Sequence, residues 1–323
     1  MSEHSSPHPQ SNDVIRQSSV ASVRNTPLQR SDSASQSHSS AAMQAERTSR
    51  RRRTTLRDWI PDQPGAWVMA LAPALAGAIC GTAAAVTRSS AQSGFAVTAA
   101  GWWVLACWAL CYCLEFTTAR WLKSHCASRY LPPALGYGIA LAVVGLPFLI
   151  THVDVLVWAP VYVVLAVVAF AGAWFRRERS LWANAAAVVA ASLMSMITFH
   201  YSAHSPSIPH VSLPGLVLAL YFAATQFGSV LFVKTMIRER GKRSYVVASW
   251  LWHAALLAWL IPANRSPYLV IMGVVLLARA IALPLVARTQ TIKPVIVGIT
   301  ECFASIIAFG CILGNALMYI PHI

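Results

Sequence analysis

This chain is short of charge. Asp, Glu, Lys and Arg together make up 11% of its 323 residues, against 56% hydrophobic ones. The few charges gather in short clusters between apolar runs about as long as a bilayer is thick. That pattern excludes a pair of soluble domains, which length alone would suggest, because consecutive spanning helices pack as one bundle. Chemical motifs are scarce as well: no Ser-His-Asp arrangement, phosphate loop or Walker pattern occurs. Cys80, Cys107, Cys111, Cys113, Cys302 and Cys311 fall within apolar runs, and Cys126 alone lies in a loop. With no His or carboxylate at ligand spacing beside them, they read as small core residues. No metal or other cofactor is expected.

Residues 1–57 are rich in Ser, Gln, Arg and His and hold almost no aromatic residues. Such a segment buries too little apolar surface to offset the entropy of ordering, so a disordered tail is expected. Its end, Arg50 to Arg53 and Arg57, abuts the first apolar run as an anchor on anionic lipid would. That run begins too late and continues too long for a signal peptide. The formal net charge of +14 would suit nucleic acid only if the cations shared a soluble face. Nine of the 25 Lys and Arg lie in the tail and most others at span ends. Membrane lipids with anionic headgroups are therefore the expected partner, and nucleic acid is not.

Residues 58–323 read as an all-α transmembrane bundle of nine spans: about 66–86, 95–114, 133–151, 153–175, 181–202, 211–233, 245–264, 267–287 and 294–318. The polar break THVD at 151–154 is very short, and eight spans is the competing count. Charge tests the division, since loops kept in the cytoplasm carry more Lys and Arg. The even-numbered loops hold Arg120, Lys123, Arg129; Arg176, Arg177, Arg179; Lys234, Arg238, Arg240, Lys242, Arg243; and Arg288, Lys293. The odd-numbered loops hold Arg88 and Arg265, so thirteen cations face two. The expectation is a multi-pass protein of the bacterial cytoplasmic membrane, N-terminus inside and C-terminus outside.

Ionisable residues at membrane depth need a partner or a wet cavity. Arg279 lies nine residues before Arg288, Glu301 eight after Lys293, and His253 eight after Tyr245. At the helical rise per residue each comes out about 12–13 Å from the cytoplasmic end. This equality of depth predicts an Arg279–Glu301 ion pair with His253 close by. It serves either as a structural staple or, with Gln226 and Glu115, as a polar cavity for a headgroup or solute. Lys234, Arg238, Arg240 and Arg243 of FVKTMIRERGKRSY are the candidate headgroup contacts. Trp102, Trp103, Trp158, Trp174, Trp182 and Trp259 suit an interfacial belt. His200, His204 and His210 surround one outer loop without the carboxylate or Cys support of a metal site. Gly77 and Gly81, and Gly310 and Gly314, form two GxxxG patterns that predict close helix packing.

WIPDQPGAW (59–67), FRRERSLWANAAAVVA (175–190) and FGSVLFVKTMIRERGKRSY (227–245) carry a resemblance to the bacterial YwiC-like membrane protein family. It extends over most of 58–318 and implies a topology more than a chemistry. The family usually shows a His where this chain has Pro64, and Asn-Asp where it has Ala183 and Asn184. The helix count and the polar loops after spans 2 and 6 also look like UbiA-type intramembrane prenyltransferases. Those enzymes hold Mg²⁺ on Asp-rich motifs near the corresponding loops, where this chain offers only Glu115 or Glu239 among cations.

The leading expectation is a protein that binds an anionic amphiphile or isoprenoid-like lipid in a cytoplasm-facing polar cavity. A small-solute transporter is the first alternative, with Pro147, Pro160 and Pro284 as candidate helix breaks. A UbiA-like transferase with a degenerate metal site and a non-catalytic partner of another membrane protein are the others.

Overall fold

The computed structural model describes residues 56–61, 64–91, 99–203, 211–263 and 266–319, all within one compact unit, Arg53–Ile323. Most of the expected tail, with Arg50 to Arg53, lies outside the described residues, as do His204, His210 and Arg265. After a one-turn helix at Leu56–Trp59 come α1 (Pro64–Ala91), α2 (Ala100–Lys123), α3 (Leu131–Thr151), α4 (Ala159–Trp174) and α5 (Leu181–Ala203). They are followed by α6 (Leu213–Val233), α7 (Arg243–Ala263), α8 (Pro267–Thr289) and α9 (Pro294–Tyr319). No strand forms among the described residues. Nine helices there are long and apolar enough to cross a membrane, so the chain is built as a multi-pass membrane protein.

The THVD break is real. The backbone of His152 leaves the helix (φ −134°, ψ 61°), and a 3₁₀ segment, Val153–Trp158, turns the chain into α4. Asp154 accepts a hydrogen bond from the Tyr201 hydroxyl at 2.8 Å, and the His152 ring lies edge-on to the Tyr201 ring, fastening the hairpin to α5. The second span differs from expectation: it runs to Lys123 rather than stopping near Leu114. Glu115 does not end this helix, because its backbone bonds continue through the last turn and Arg120 finds a carboxylate partner in Asp58.

α1, α5 and α6 form the centre, burying 56%, 50% and 61% of their most apolar windows, whereas α3 and α4 bury 11% and 6%. The difference follows from residue size. At Gly77 a Cβ would stand 2.1 Å from the Ser195 carbonyl oxygen, and at Gly81 2.5 Å from that of Phe199. α1 therefore touches the α5 backbone, and its GxxxG pattern is an internal contact. The second pattern packs loosely, a Cβ at Gly314 meeting only the Tyr268 ring at 3.9 Å. Val297, Ala304, Ala308, Ile312 and Asn315 form the buried stripe of α9, and Gly310 lies off that stripe with nothing within 4 Å of a Cβ position. The outward stripe of α3, Ile139, Val143, Leu146 and Ile150, is apolar and exposed, as a lipid-facing surface requires.

The prolines considered as breaks do not interrupt their helices. Pro147 and Pro284 lie inside α3 and α8, and Pro160 sits in the first turn of α4. Each internal proline removes the N–H that would serve the carbonyl four residues earlier. In α8 that carbonyl is Ala280, which accepts from Trp250 Nε1 on α7 at 2.8 Å. In α1, Pro73 frees the carbonyl of Met69, which accepts from Gln226 Nε2 on α6 at 2.9 Å. Indoles join helices elsewhere too: Trp103 donates to the Val144 carbonyl at 2.9 Å and so points inward, not into an interfacial belt.

Candidate functional site

The basic residues that end α2, α4, α6 and α8 lie toward one end of the bundle. There α6 does not stop cleanly but widens into a π turn, Lys234–Arg238, where the Glu239 N–H donates to the Lys234 carbonyl at 2.8 Å. The Thr235 hydroxyl lies within reach of two carbonyls, Leu231 at 2.8 Å and Tyr245 at 3.1 Å, tying the turn to the start of α7. Gly241, at φ +87°, takes the left-handed conformation that brings the chain round. In consequence Lys234 points inward: it is buried, and its ammonium donates to the Arg179 carbonyl in the α4–α5 connection.

Arg238, Arg240 and Arg243 are exposed, as are Arg176, Arg177 and Arg179. Arg238 and Arg179 are electrostatic neighbours, so the two connections form one basic patch. The nearby acids are already taken. Glu178 pairs with Lys123 at 2.8 Å and Glu239 with Lys242 at 2.6 Å. The hydrogen bond from Lys242 holds the Glu239 carboxyl below the usual range and raises the Lys242 ammonium. The guanidinium groups of the six arginines make no hydrogen bond or ion pair among the described residues.

Deeper in, the structure brings together the residues expected at one depth. Each sits on the buried stripe of its helix: Arg279 with Leu276 and Ala280 on α8, Glu301 with Val297 and Ala304 on α9, His253 with Ser249 and Leu256 on α7. Arg279 Nη1 donates to Glu301 Oε2, their side chains 5% and 15% exposed. The guanidinium lies over the Phe232 ring, 4.2 Å from its centroid. His253 Nδ1 is 2.7 Å from the Ser249 carbonyl. A carbonyl only accepts, so Nδ1 carries a proton and Nε2 of the neutral ring is an acceptor. That Nε2 faces Gly228, where a Cβ would stand 3.1 Å away. Arg279 lies within electrostatic reach of the ring.

Gln226 and Glu115 are placed differently. With its amide nitrogen spent on Met69, Gln226 lines a cavity of about 30 Å³ together with Thr225, Leu276 and Ser305. That volume holds about two water molecules, not a headgroup. Leu276 is three residues from Arg279 and Ser305 four from Glu301, so the cavity lies about one helical turn from the ion pair. Glu115 does not join this group: α2 packs on α1, α3, α4 and α5, and its electrostatic neighbour is Glu178.

Sequence reasoning missed Asp58. Its carboxylate is buried and pairs with Arg129 at 2.9 Å and Arg120 at 3.2 Å, clamping the segment before α1 to the ends of α2 and α3. The available signal was an acid directly after Arg57, close to the run Arg50 to Arg53 and before the first span. No group of three His, Cys, Asp or Glu residues among the described residues could hold a metal ion. No curated protein and no solved structure matches the chain. Residues 60–199, from the start of the first span to near the end of the fifth, match the model of the YwiC-like protein family, the family the sequence resembles.

Proposed function

We propose that the protein binds an anionic amphiphile, of isoprenoid or other lipid type, with the headgroup on the arginines of its basic end and the tail along the apolar helices. The observation that carries this reading is the division of charge there. Lysines satisfy both loop carboxylates, while Arg176, Arg177, Arg179, Arg238, Arg240 and Arg243 are exposed and without ion pairs. Arginine forks suit phosphate oxygens, which they bind two at a time. Arg238, Arg240 and Arg243 contact the headgroup alongside Arg179, and Lys234 fixes the π turn that presents them. The excess of cations favours a cytoplasmic position for this end, with the N-terminus beside it and the C-terminus opposite. The anionic leaflet of a bacterial cytoplasmic membrane supplies such lipids.

The transferase reading draws less support, since Glu239 is bound to Lys242 and the electrostatic neighbour of Glu115 is Glu178, itself paired with Lys123. Lipid analysis of the purified full-length protein tests the proposal. An anionic lipid enriched over the detergent background is expected, and the triple variant R238Q/R240Q/R243Q should lose most of it. No enrichment, or enrichment unchanged in the variant, would defeat the reading.

A further inference from the structure

We infer that Arg279 forms an oxyanion site inside the bundle, distinct from the exposed arginines, whose ligand presents a carboxylate or phosphate group to the Nε–H and Nη2–H edge of the guanidinium. Glu301 uses only Nη1. Nε and Nη2 are buried and have no protein acceptor. These two donors form the side of the fork that holds two oxygens at once. A pair serving stability alone gains most by turning this edge onto its carboxylate, because two charge-assisted bonds then replace one. Here Glu301 takes a single bond and its Oε1 stays unpartnered as well.

The guanidinium is held ready for this role. Glu301 fixes one nitrogen and the Phe232 ring covers one face, so the open edge keeps its direction. The residue is 6% exposed, which makes unmatched donors destabilising and a bound oxyanion correspondingly favourable. Further buried acceptors without protein partners, His253 Nε2 and Gln226 Oε1, belong to the same group of helices. They suit hydroxyl groups of the ligand or water. One helical turn away, the small cavity beside Leu276 and Ser305 leaves unfilled space between the helices that carry the pair. This site rests on the proposed reading only in taking the ligand to be an anion, and it does not need the exposed patch.

The test follows the thermal unfolding midpoint of the full-length protein in detergent at constant ionic strength. Sodium phosphate, sodium acetate and dodecyl phosphate are the probes and chloride is the control. A saturable rise with at least one oxyanion and none with chloride is expected. A rise with dodecyl phosphate alone marks a lipid headgroup, whereas a rise with phosphate or acetate marks a free anion. Arg279→Lys keeps the charge but lacks the fork and should weaken apparent affinity about tenfold or more. R238Q/R240Q/R243Q should leave this affinity in place. Should Arg279→Lys fail to fold, Phe232→Leu takes its place, with several-fold weakening expected. No saturable rise in the unaltered protein, or an affinity unchanged in the Arg279 or Phe232 variant, overturns the inference. A rise lost in the triple arginine variant alone would put the anion on the patch and overturn this inference while leaving the proposed function standing.

Discussion

Removing one member of the Arg279–Glu301 pair should cost more than removing both. Glu301→Leu leaves a guanidinium only 5% exposed with no counter-ion, and arginine cannot shed its charge by losing a proton. Breaking a buried pair in this way costs about 3–5 kcal/mol. Arg279→Met strands a carboxylate that is 15% exposed, and a carboxylate can neutralise itself by taking up a proton. Its cost should fall nearer 2–3 kcal/mol, including about 1 kcal/mol for the lost contact with the Phe232 ring. The double variant R279M/E301L removes both charges from an apolar setting and should come within about 1–2 kcal/mol of the unaltered protein. The coupling energy is then about 3 kcal/mol or more, far outside the error of additivity for independent sites. Reversible unfolding in mixed detergent, followed by tryptophan fluorescence, gives the four free energies. Two single variants each within about 1 kcal/mol of the unaltered protein, or a double variant as destabilised as the sum of the singles, would refute the reasoning. A stable double variant that no longer binds oxyanions would separate the role of the pair in folding from its role as a site.

Two further outcomes test the frame around that pair. Gly77→Ala puts a methyl group 2.1 Å from a backbone oxygen of α5, which cannot move without shifting the helix. It should destabilise by about 1–3 kcal/mol, whereas Gly310→Ala, with open space at its Cβ position, should change the unfolding midpoint little. Equal effects in the two variants would contradict the packing. Cys126 is exposed in the connection after α2, while the exposed Cys302 sits within α9. A membrane-impermeant maleimide should label Cys126 only once the cytoplasmic side is opened, and labelling in intact cells would reverse the proposed orientation.

The spans were legible because bilayer thickness imposes a length on every apolar run, and the thirteen cations ending alternate spans fixed how to divide them. The shared depth of Arg279, Glu301 and His253 was legible for the same reason: regular helices turn residue number into distance. Contacts that depend on rotation about the helix axis were not readable this way. Gly77 and Gly310 belong to identical GxxxG patterns, yet one meets the α5 backbone and the other meets nothing within 4 Å. Only the buried stripe of each helix separates them. Gln226 reads as a free polar group until Pro73, on another helix, is seen to leave the Met69 carbonyl without its usual donor. Lys234 reads as a surface cation, and it is the π turn that rolls it inward onto the Arg179 carbonyl. Asp58 was hidden by its neighbours, since an acid close to a run of arginines reads as part of a tail.

The family match and the candidate site occupy different parts of the bundle, and the division has a physical consequence. Residues 60–199 hold α1 to α4 and most of α5, including the glycine contacts that give the bundle its centre. Gln226, His253, Arg279 and Glu301 all lie beyond that segment, on α6 to α9. α1 is where the two meet: it packs on α5 through Gly77 and Gly81, and also on α6 and α9. Its Met69 carbonyl receives Gln226, and Val68, Met69 and Ala72 form one wall of the small cavity. A substitution on α1 can therefore disturb the buried polar group through its wall, without touching a charged residue. The two faces of this helix should behave differently. Changes at Gly77 act on stability through α5, whereas a larger side chain at Ala72, on the cavity wall, should reduce oxyanion affinity more than it lowers the unfolding midpoint. If the Ala72 and Gly77 variants instead lose stability and affinity in the same proportion, α1 supports the site only by holding the bundle together.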